Sequence, residues 1–489
     1  MAKLKIEGKL LRAIGYPEGP VISVAMKTME KNYKHTSEED AVEILKRVLA
    51  NPAEFAEDEL LKPIAKRLMD HYAKEELKQK YATLSDKDLK EFLDSNSGGE
   101  LFELKAEGVG YNTYGTEHIE QGALNQMNIA SRLPITVAGA LMPDAHQGYG
   151  LPIGGVLATE NAVIPYGVGV DIGCRMCLSI FDVQAVELRN RDKFFERELN
   201  ENTLFGAGRE FKTLSEAEVL DSEVFNQIPF VKNLQKKAAL QLGSSGSGNH
   251  FVEWGIVDVT SEKNDLNIPA GKYVAVLSHS GSRGLGASIA GHYTKIAMEK
   301  TKLPGEAKHL AWLDLNTQEG MEYWMAMNLA GDYASACHHV IHKKMAKSLG
   351  QKPIAMVENH HNFAWKETWN GREVIVHRKG ATPAGKDVFG IIPGSMTAPG
   401  FIVKGKGVED SINSASHGAG RKMSRSKAMQ SVTHSALKDE LKAHGVKLIG
   451  GGLDEAPHAY KDIHTVMKAQ TDLVEVVGLF YPRIVKMDG

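Results

Sequence analysis

Apolar positions along the chain follow two regimes. From Lys31 to about Phe102 the sequence is charged, with Val42, Ile44, Leu45, Val48 and Leu49 at helical spacing. Thr36-Ser37-Glu38-Glu39-Asp40 precedes them as a capped helix start. Glycine is absent from this stretch until Ser97-Gly98-Gly99, which reads as a linker. The pattern predicts an accessory helical module with a solvated charged surface. After Gly108 the texture changes. Short apolar runs at Ile135–Leu141, Tyr273–Leu277 and Val374–Val376 alternate with glycine-rich loops, and a long helical pattern covers about Gly320 to Leu349. The expected fold class is α/β of the mixed α+β kind. Residues 106–489 are expected to form one large domain with long loops, and residues 1–105 a mainly helical N-terminal extension. Neither an internal repeat nor a low-complexity tract is present.

Composition narrows the function. Hydrophobic residues make up 42% and charged residues 24% of the 489, which excludes wholesale disorder. With 58 Lys+Arg against 61 Asp+Glu the net charge is −3, so a polyanionic partner must meet a local basic patch. The 48 glycines follow no Gly-X-Y period and belong to loops. Three cysteines, Cys174, Cys177 and Cys337, cannot build a disulfide framework in a chain of this size, and a thiolate role in the reducing cytosol is expected. No apolar run reaches the ~18 residues of a membrane span, and the N-terminus lacks a signal-peptide pattern. The expectation is a soluble cytoplasmic protein with no membrane partner.

Candidate chemistry sits in the loops. Met142-Pro143-Asp144-Ala145-His146-Gln147-Gly148-Tyr149-Gly150 follows the first apolar run, and its Asp144 and His146 read as turn-forming residues. In Gly167-Val168-Gly169-Val170-Asp171-Ile172-Gly173-Cys174, a carboxylate and a thiolate three residues apart could share a divalent metal. A buried cysteine beside a turn aspartate would look the same. Three more loops carry His250 after Gly243–Asn249, His279 before Ser280–Gly284, and His361 in Asn359–Asn362. Each alone reads as structural; with Asp171 and Cys174 they form a set of candidate ligands.

Two further loops suit phosphate. Pro393-Gly394-Ser395-Met396-Thr397 offers backbone N–H groups and hydroxyls, with Lys404 and Lys406 close behind. Ser416-His417-Gly418-Ala419-Gly420-Arg421-Lys422-Met423-Ser424-Arg425 sets a histidine before small residues and cations. His417 there could be a phosphate donor or a nucleophile at phosphorus. Arg283, Lys404, Lys406, Arg421, Lys422 and Arg425 are the candidate basic surface for a polyanion, with binding expected to weaken steeply with salt. Gly380–Asp387 imitates G-x-x-x-x-G-K, but Asp387 stands where a P-loop needs Ser or Thr. His338 and His342, one helical turn apart beside Cys337, read as histidines of the long helix.

Taken together, Met142–Gly150, Gly167–Cys174, Gly246–Phe251, His279–Gly286, His377–Thr382, Pro393–Met396 and His417–Arg421 resemble an RtcB-type RNA-splicing ligase. Asp454-Glu455-Ala456-Pro457 and Tyr460-Lys461 add to the likeness, which runs from about Gly108 to Gly489. The resemblance implies a GTP- and manganese-dependent ligase that joins an RNA 3′-phosphate or 2′,3′-cyclic phosphate end to a 5′-hydroxyl end, in RNA repair or tRNA splicing. By position, His417 resembles the guanylylated histidine. Asp171, Cys174, His250, His279 and His361 resemble the ligands of a two-Mn²⁺ centre with the cysteine bridging. Asn249, His250, Phe251, Val252, Glu253, His361, Asn362, Pro393, Gly394, Ser395, Met396, His417, Gly418, Ala419, Gly420, Tyr460 and Lys486 resemble the surroundings of the GTP or GMP. The resemblance makes RNA the polyanion expected on the basic surface of Arg283, Lys404, Lys406, Arg421 and Arg425, and an archease-like activator is a further implied partner. Val170 and Gly173 at the Asp/Cys turn, Pro383, and the Lys486-Met487-Asp488-Gly489 end depart from the family pattern and suggest a divergent subfamily. The alternative is a metal-dependent RNA end-processing phosphodiesterase without ligation; a non-enzymatic RNA-binding or chaperone-like protein is a third reading.

Overall fold

The computed structural model describes residues 4, 6–17, 20–80, 99–262 and 264–489, with the backbone alone for residue 70 and residues 73–80. It divides into two compact units, Met1–Gly98 and Gly99–Gly489. The first is built from the helices Gly8–Ala13, Pro20–Asn32, Glu38–Ala50 and Lys62–Lys80. In Glu38–Ala50 the expected periodic residues Leu45 and Val48 are buried together with Ala41, while Val42, Ile44 and Leu49 are partly buried. The Ser37 hydroxyl accepts from the Asp40 N–H at 3.1 Å, capping the helix where its sequence placed the start. Leu11, Val21, Ala25, Met29, Ile64 and Leu68 complete this unit's own core. Ser97 and Gly98 of the expected linker lie outside the described residues.

The second unit is mixed α and β, as the alternation of patterns predicts. Its larger sheet has eight strands. Seven run in the order Pro353–His360, Arg175–Gln184, Gly271–Ser280, Phe251–Val259, Val474–Met487, Gly400–Gly405 and Phe389–Ile392, all paired antiparallel. Lys447–Ile449 pairs parallel to Val474–Met487. A five-stranded sheet holds Asn362–Trp369, Arg372–Lys379, Ile153–Thr159, Thr136–His146 and Tyr111–Thr113. The chain passes from the first sheet to the second at His361, between Pro353–His360 and Asn362–Trp369.

The apolar runs form strands longer than the runs themselves, because backbone pairing continues into polar residues once a neighbour is present. Tyr273–Leu277 lies within Gly271–Ser280, and Ile135–Leu141 extends to His146. The residues Met142–His146 are therefore strand rather than loop, with an irregular register between Leu141 and His146 around Pro143, which has no N–H to donate. The long helix is Gln318–Leu349, with Thr317 capping its start and Gly350 at φ +67° ending it. Among the described residues no helix is long and apolar enough to cross a membrane.

Candidate active site

Strand register gathers the candidate ligands. His279 lies opposite both Met176 and Phe251, and Ser280 lies opposite Arg175, which in turn pairs with His360. Cys174, His250 and His361 each stand one residue beyond a paired position, so three loops far apart in sequence end at one edge of the sheet. Two triads result, Asp171–Cys174–His250 and Cys174–His279–His361, and they share the cysteine. The Cys174 sulfur lies 3.4 Å from His250 Nε2 and 3.2 Å from His279 Nε2. His250 Nε2 is 2.8 Å from Asp171 Oδ2, and His279 Nε2 is 3.1 Å from His361 Nε2. Two glycines make room: a Cβ on Gly281 would stand 2.0 Å from Asp171 Oδ1, and one on Gly246 1.6 Å from His250 Nδ1.

The protonation pattern fits a cation. His279 Nδ1–H donates to the Asn249 carbonyl at 2.9 Å, so its Nε2 lone pair faces Cys174 and His361. Burial, then the charge of His250, holds the His279 imidazole neutral down to about 3. Burial, then His417, pushes His361 well below its ordinary value. Burial pushes the Asp171 carboxyl up, but the charge of His250 and hydrogen bonds from His250 and Cys174 outweigh it and hold the group at about 2. Burial and the nearby Asp171 raise the Cys174 thiol, a charge conflict that a divalent cation between the two would resolve. A carboxylate, a sulfur and imidazole nitrogens converging on one point thus form a donor set that would suit a divalent metal, with Cys174 common to both triads.

A second cluster, Cys177–His338–His342, lies behind this one. Its ring nitrogens are already engaged. His338 Nε2–H donates to the Ser280 carbonyl at 3.1 Å, leaving Nδ1 to accept from Ser278 Oγ at 2.5 Å. Ser278 accepts from His342 Nε2–H at 2.8 Å, and His342 Nδ1 accepts from Ser179 Oγ at 2.8 Å. Burial keeps both imidazoles neutral, at about 3. In this arrangement the cluster is a hydrogen-bond chain fixing two strands, Arg175–Gln184 and Gly271–Ser280, to the long helix.

His417 stands beside the metal-type cluster, its ring centroid 4.9 Å from that of His361. Its Nδ1–H donates to Asp144 Oδ2 at 2.6 Å, and Asp144 is fully buried. Asp144 was legible in sequence only as a turn residue; nothing local announces a partner 273 residues away. The His417 ring lines a cavity of about 320 Å³, the size range of small-ligand sites, together with Asn249, Phe251, Glu253, Pro393, Gly394, Ser395, Met396, Gly418, Ala419, Gly420 and Tyr460. Glu253 is 4% exposed, and burial raises its carboxyl well above the usual range, favouring the neutral acid. Glu455, missed as an individual site residue, anchors the far wall: it takes Tyr460 OH, Arg425, and Arg421 Nη1 at 3.2 Å.

Several expected positions go elsewhere. Val485 and Met487 face the cavity, so the intervening Lys486 points to the other side of its strand, where Nζ donates to the Leu199 carbonyl at 3.1 Å. Val252, between two cavity residues, likewise packs into the core with Trp254. Asn362 lies beside the metal-type cluster rather than on the cavity wall, accepting from Gly380 N–H at 2.9 Å. Arg283, expected on a basic surface, is buried, with its guanidinium donating to Ser244 Oγ at 3.2 Å and to the Gly206 carbonyl at 2.8 Å. Lys404 pairs with Asp265, and Lys406 donates to the Thr471 carbonyl at 2.6 Å. Arg421 and Arg425 line the cavity and face Asp454 and Glu455. Lys422 lines a separate cleft with Lys461.

Fold and site together define a mixed α+β protein with a candidate two-ion centre next to an aspartate-supported histidine and a ligand-sized cavity. Comparison with known proteins is specific. The family model described as tRNA-splicing ligase RtcB matches residues 126–230 and 214–487. The RNA-splicing ligase RtcB of Escherichia coli K12 is 33% identical over 394 residues, covering 73% of this chain and 92% of that protein. The tRNA-splicing ligase RtcB of Nanoarchaeum equitans is 31% identical over 433 residues, covering 74% and 91%. The chain belongs to the RtcB family.

Proposed function

We propose that this protein is an RNA ligase that joins a 3′-phosphate or 2′,3′-cyclic phosphate end to a 5′-hydroxyl end, using GTP and Mn²⁺ through a guanylylated His417. The observation that carries the reading is the buried Asp144–His417 pair, whose imidazole opens onto the cavity within ring contact of His361. Family membership supports the same activity. With Nδ1–H held by Asp144, the Nε2 lone pair is the nucleophile. It attacks the α-phosphorus of GTP, a P–N bond forms, and pyrophosphate leaves. An oxygen of the RNA 3′-phosphate then displaces the imidazole and takes the guanylate; the 5′-hydroxyl attacks the activated phosphorus, and GMP departs. A cyclic end is first opened by water to the 3′-monophosphate.

Asp171, Cys174, His250, His279 and His361 would hold Mn²⁺, which supplies Lewis-acid neutralisation of phosphate charge when bound. Thiolate and imidazole alone would suit zinc; the carboxylate and the family favour manganese. Neutral Glu253, with Asn249 and Phe251, forms the cavity wall offered to the guanylate. In this reading residues 106–489 are the catalytic domain and residues 1–105 an accessory helical region.

The test uses GTP labelled at the α-phosphate. Label on the intact protein that disappears in His417→Ala, together with ligation of a 3′-phosphate RNA to a 5′-hydroxyl RNA in Mn²⁺, is the expected result. Metal-dependent RNA cleavage without labelling would replace the ligase with an end-processing phosphodiesterase.

A further inference from the structure

Tyr149 is 68% exposed, more than any other large apolar side chain among the described residues. It sits at the tip of the turn that follows the Asp144 strand, over two other rings. Its centroid is 6.2 Å from Tyr166 and 6.3 Å from His309, edge-on to the latter, while Tyr166 and His309 are 5.1 Å apart and tilted by 35°. The turn is braced rather than free. Lys379 Nζ donates to the carbonyls of both Tyr149 and Tyr166, tying the two aromatic segments together, and its ammonium lies 5.2 Å from the Tyr166 centroid. Gly150, at φ +70°, lies so close to His309 that a Cβ would stand 2.8 Å from its carbonyl oxygen.

The position relative to the reacting groups is set by Lys379. It pairs in register with Asn362, the neighbour of His361. The next residue, Gly380, donates to the His361 carbonyl at 2.8 Å, and a Cβ there would stand 3.2 Å from His417 Cε1. On the other side a Cβ on Gly169, two residues before Asp171, would stand 3.8 Å from Lys379 Cε. Tyr149, Tyr166 and His309 are absent from the wall of the 320 Å³ cavity. A braced, solvent-open aromatic cluster thus borders the centre outside the pocket assigned to the guanylate.

We propose that Tyr149, supported by Tyr166 and His309, is a stacking platform for a nucleobase of the RNA whose end enters the centre. The proposal rests on the ligase reading and adds a subsite for its second substrate. An aromatic face offers no base-specific donor or acceptor, so it suits single-stranded RNA ends of any sequence. The Lys379 amino group is spent on the Tyr149 and Tyr166 carbonyls, so this contact is apolar. Its contribution to binding is insensitive to salt, unlike a phosphate contact.

The test is a short single-stranded RNA with a 3′-phosphate and 2-aminopurine near that end, titrated in Mn²⁺ without GTP against wild type, Tyr149→Phe and Tyr149→Ala. Wild type and Tyr149→Phe quench the fluorescence. Tyr149→Ala loses the quenching and binds about tenfold more weakly, by the same factor at about 50 and 200 mM salt. Quenching retained in Tyr149→Ala with affinity within about twofold of wild type overturns the platform, as does a Tyr149→Phe loss equal to that of alanine. Labelling and ligation assays on wild type run alongside. A wild type that ligates while Tyr149→Ala binds normally refutes the platform alone. A wild type that binds and quenches but neither labels nor ligates refutes the ligase reading alone, and one that does not bind this RNA refutes the platform.

Discussion

Asp144→Asn isolates the support of His417. The carboxylate is fully buried, 2.6 Å from Nδ1, and also 3.3 Å from the His417 backbone N–H, so it fixes both the rotamer and the tautomer of the ring. Asparagine keeps the shape and removes the charge. In the proposed guanylylation the ring becomes cationic as Nε2 bonds to phosphorus, and the buried carboxylate is the counter-charge within hydrogen-bond reach. Removing one partner of a buried, hydrogen-bonded pair costs about 3–5 kcal/mol. At about 1.4 kcal/mol per factor of ten, the guanylylation rate falls about 10²- to 10⁴-fold. Single-turnover transfer of label from GTP to protein measures this step without RNA, and a thermal melt checks that the variant is folded. A folded Asp144→Asn that labels within about threefold of wild type would show that Asp144 only shapes the turn.

Three other outcomes follow from the geometry. Because Cys174 belongs to both triads, Cys174→Ala loses Mn²⁺ at both positions while His250→Ala loses it at one; metal analysis of the dialysed proteins decides, and two ions retained by Cys174→Ala would refute a shared ligand. His377 accepts from Ile164 N–H at 2.9 Å through Nε2 and donates to Leu157 O at 3.2 Å, so burial holds it neutral, lowered from 6.5 to about 4. Its unfolded form takes up a proton first, so its contribution to stability is intact above about pH 6.5 and is lost as pH falls towards about 4, on the order of 3 kcal/mol; urea melts at several pH values should show a shallower acid loss in His377→Gln than in wild type. Burial raises the Glu253 carboxyl well above its usual range, favouring the neutral acid, so Glu253→Gln should keep the melting temperature within about 2 °C, and a large drop would mean that the group is charged.

The sequence alone carried the class of fold, the periodic faces of the helices, and the residue types able to bind metal and phosphate. Each of these follows from local chemistry: helical spacing puts Leu45 and Val48 on the buried face of their helix, and the residue types in the histidine-bearing segments are those that ligate metal, although His146 and His279 lie in strands rather than loops. Tertiary structure alone decided which of those residues meet. Antiparallel register brought Cys174, His250, His279 and His361 to one sheet edge, whereas strand alternation turned Lys486 and Val252 away from the cavity that their neighbours line. Folding also gave Arg283 to buried carbonyl and hydroxyl acceptors and Asp144 to His417. Contacts across tens to hundreds of residues depend on pairing and burial that no window of sequence contains, which is why the ligand set was readable as a list of candidates and the Asp144–His417 pair was not readable at all.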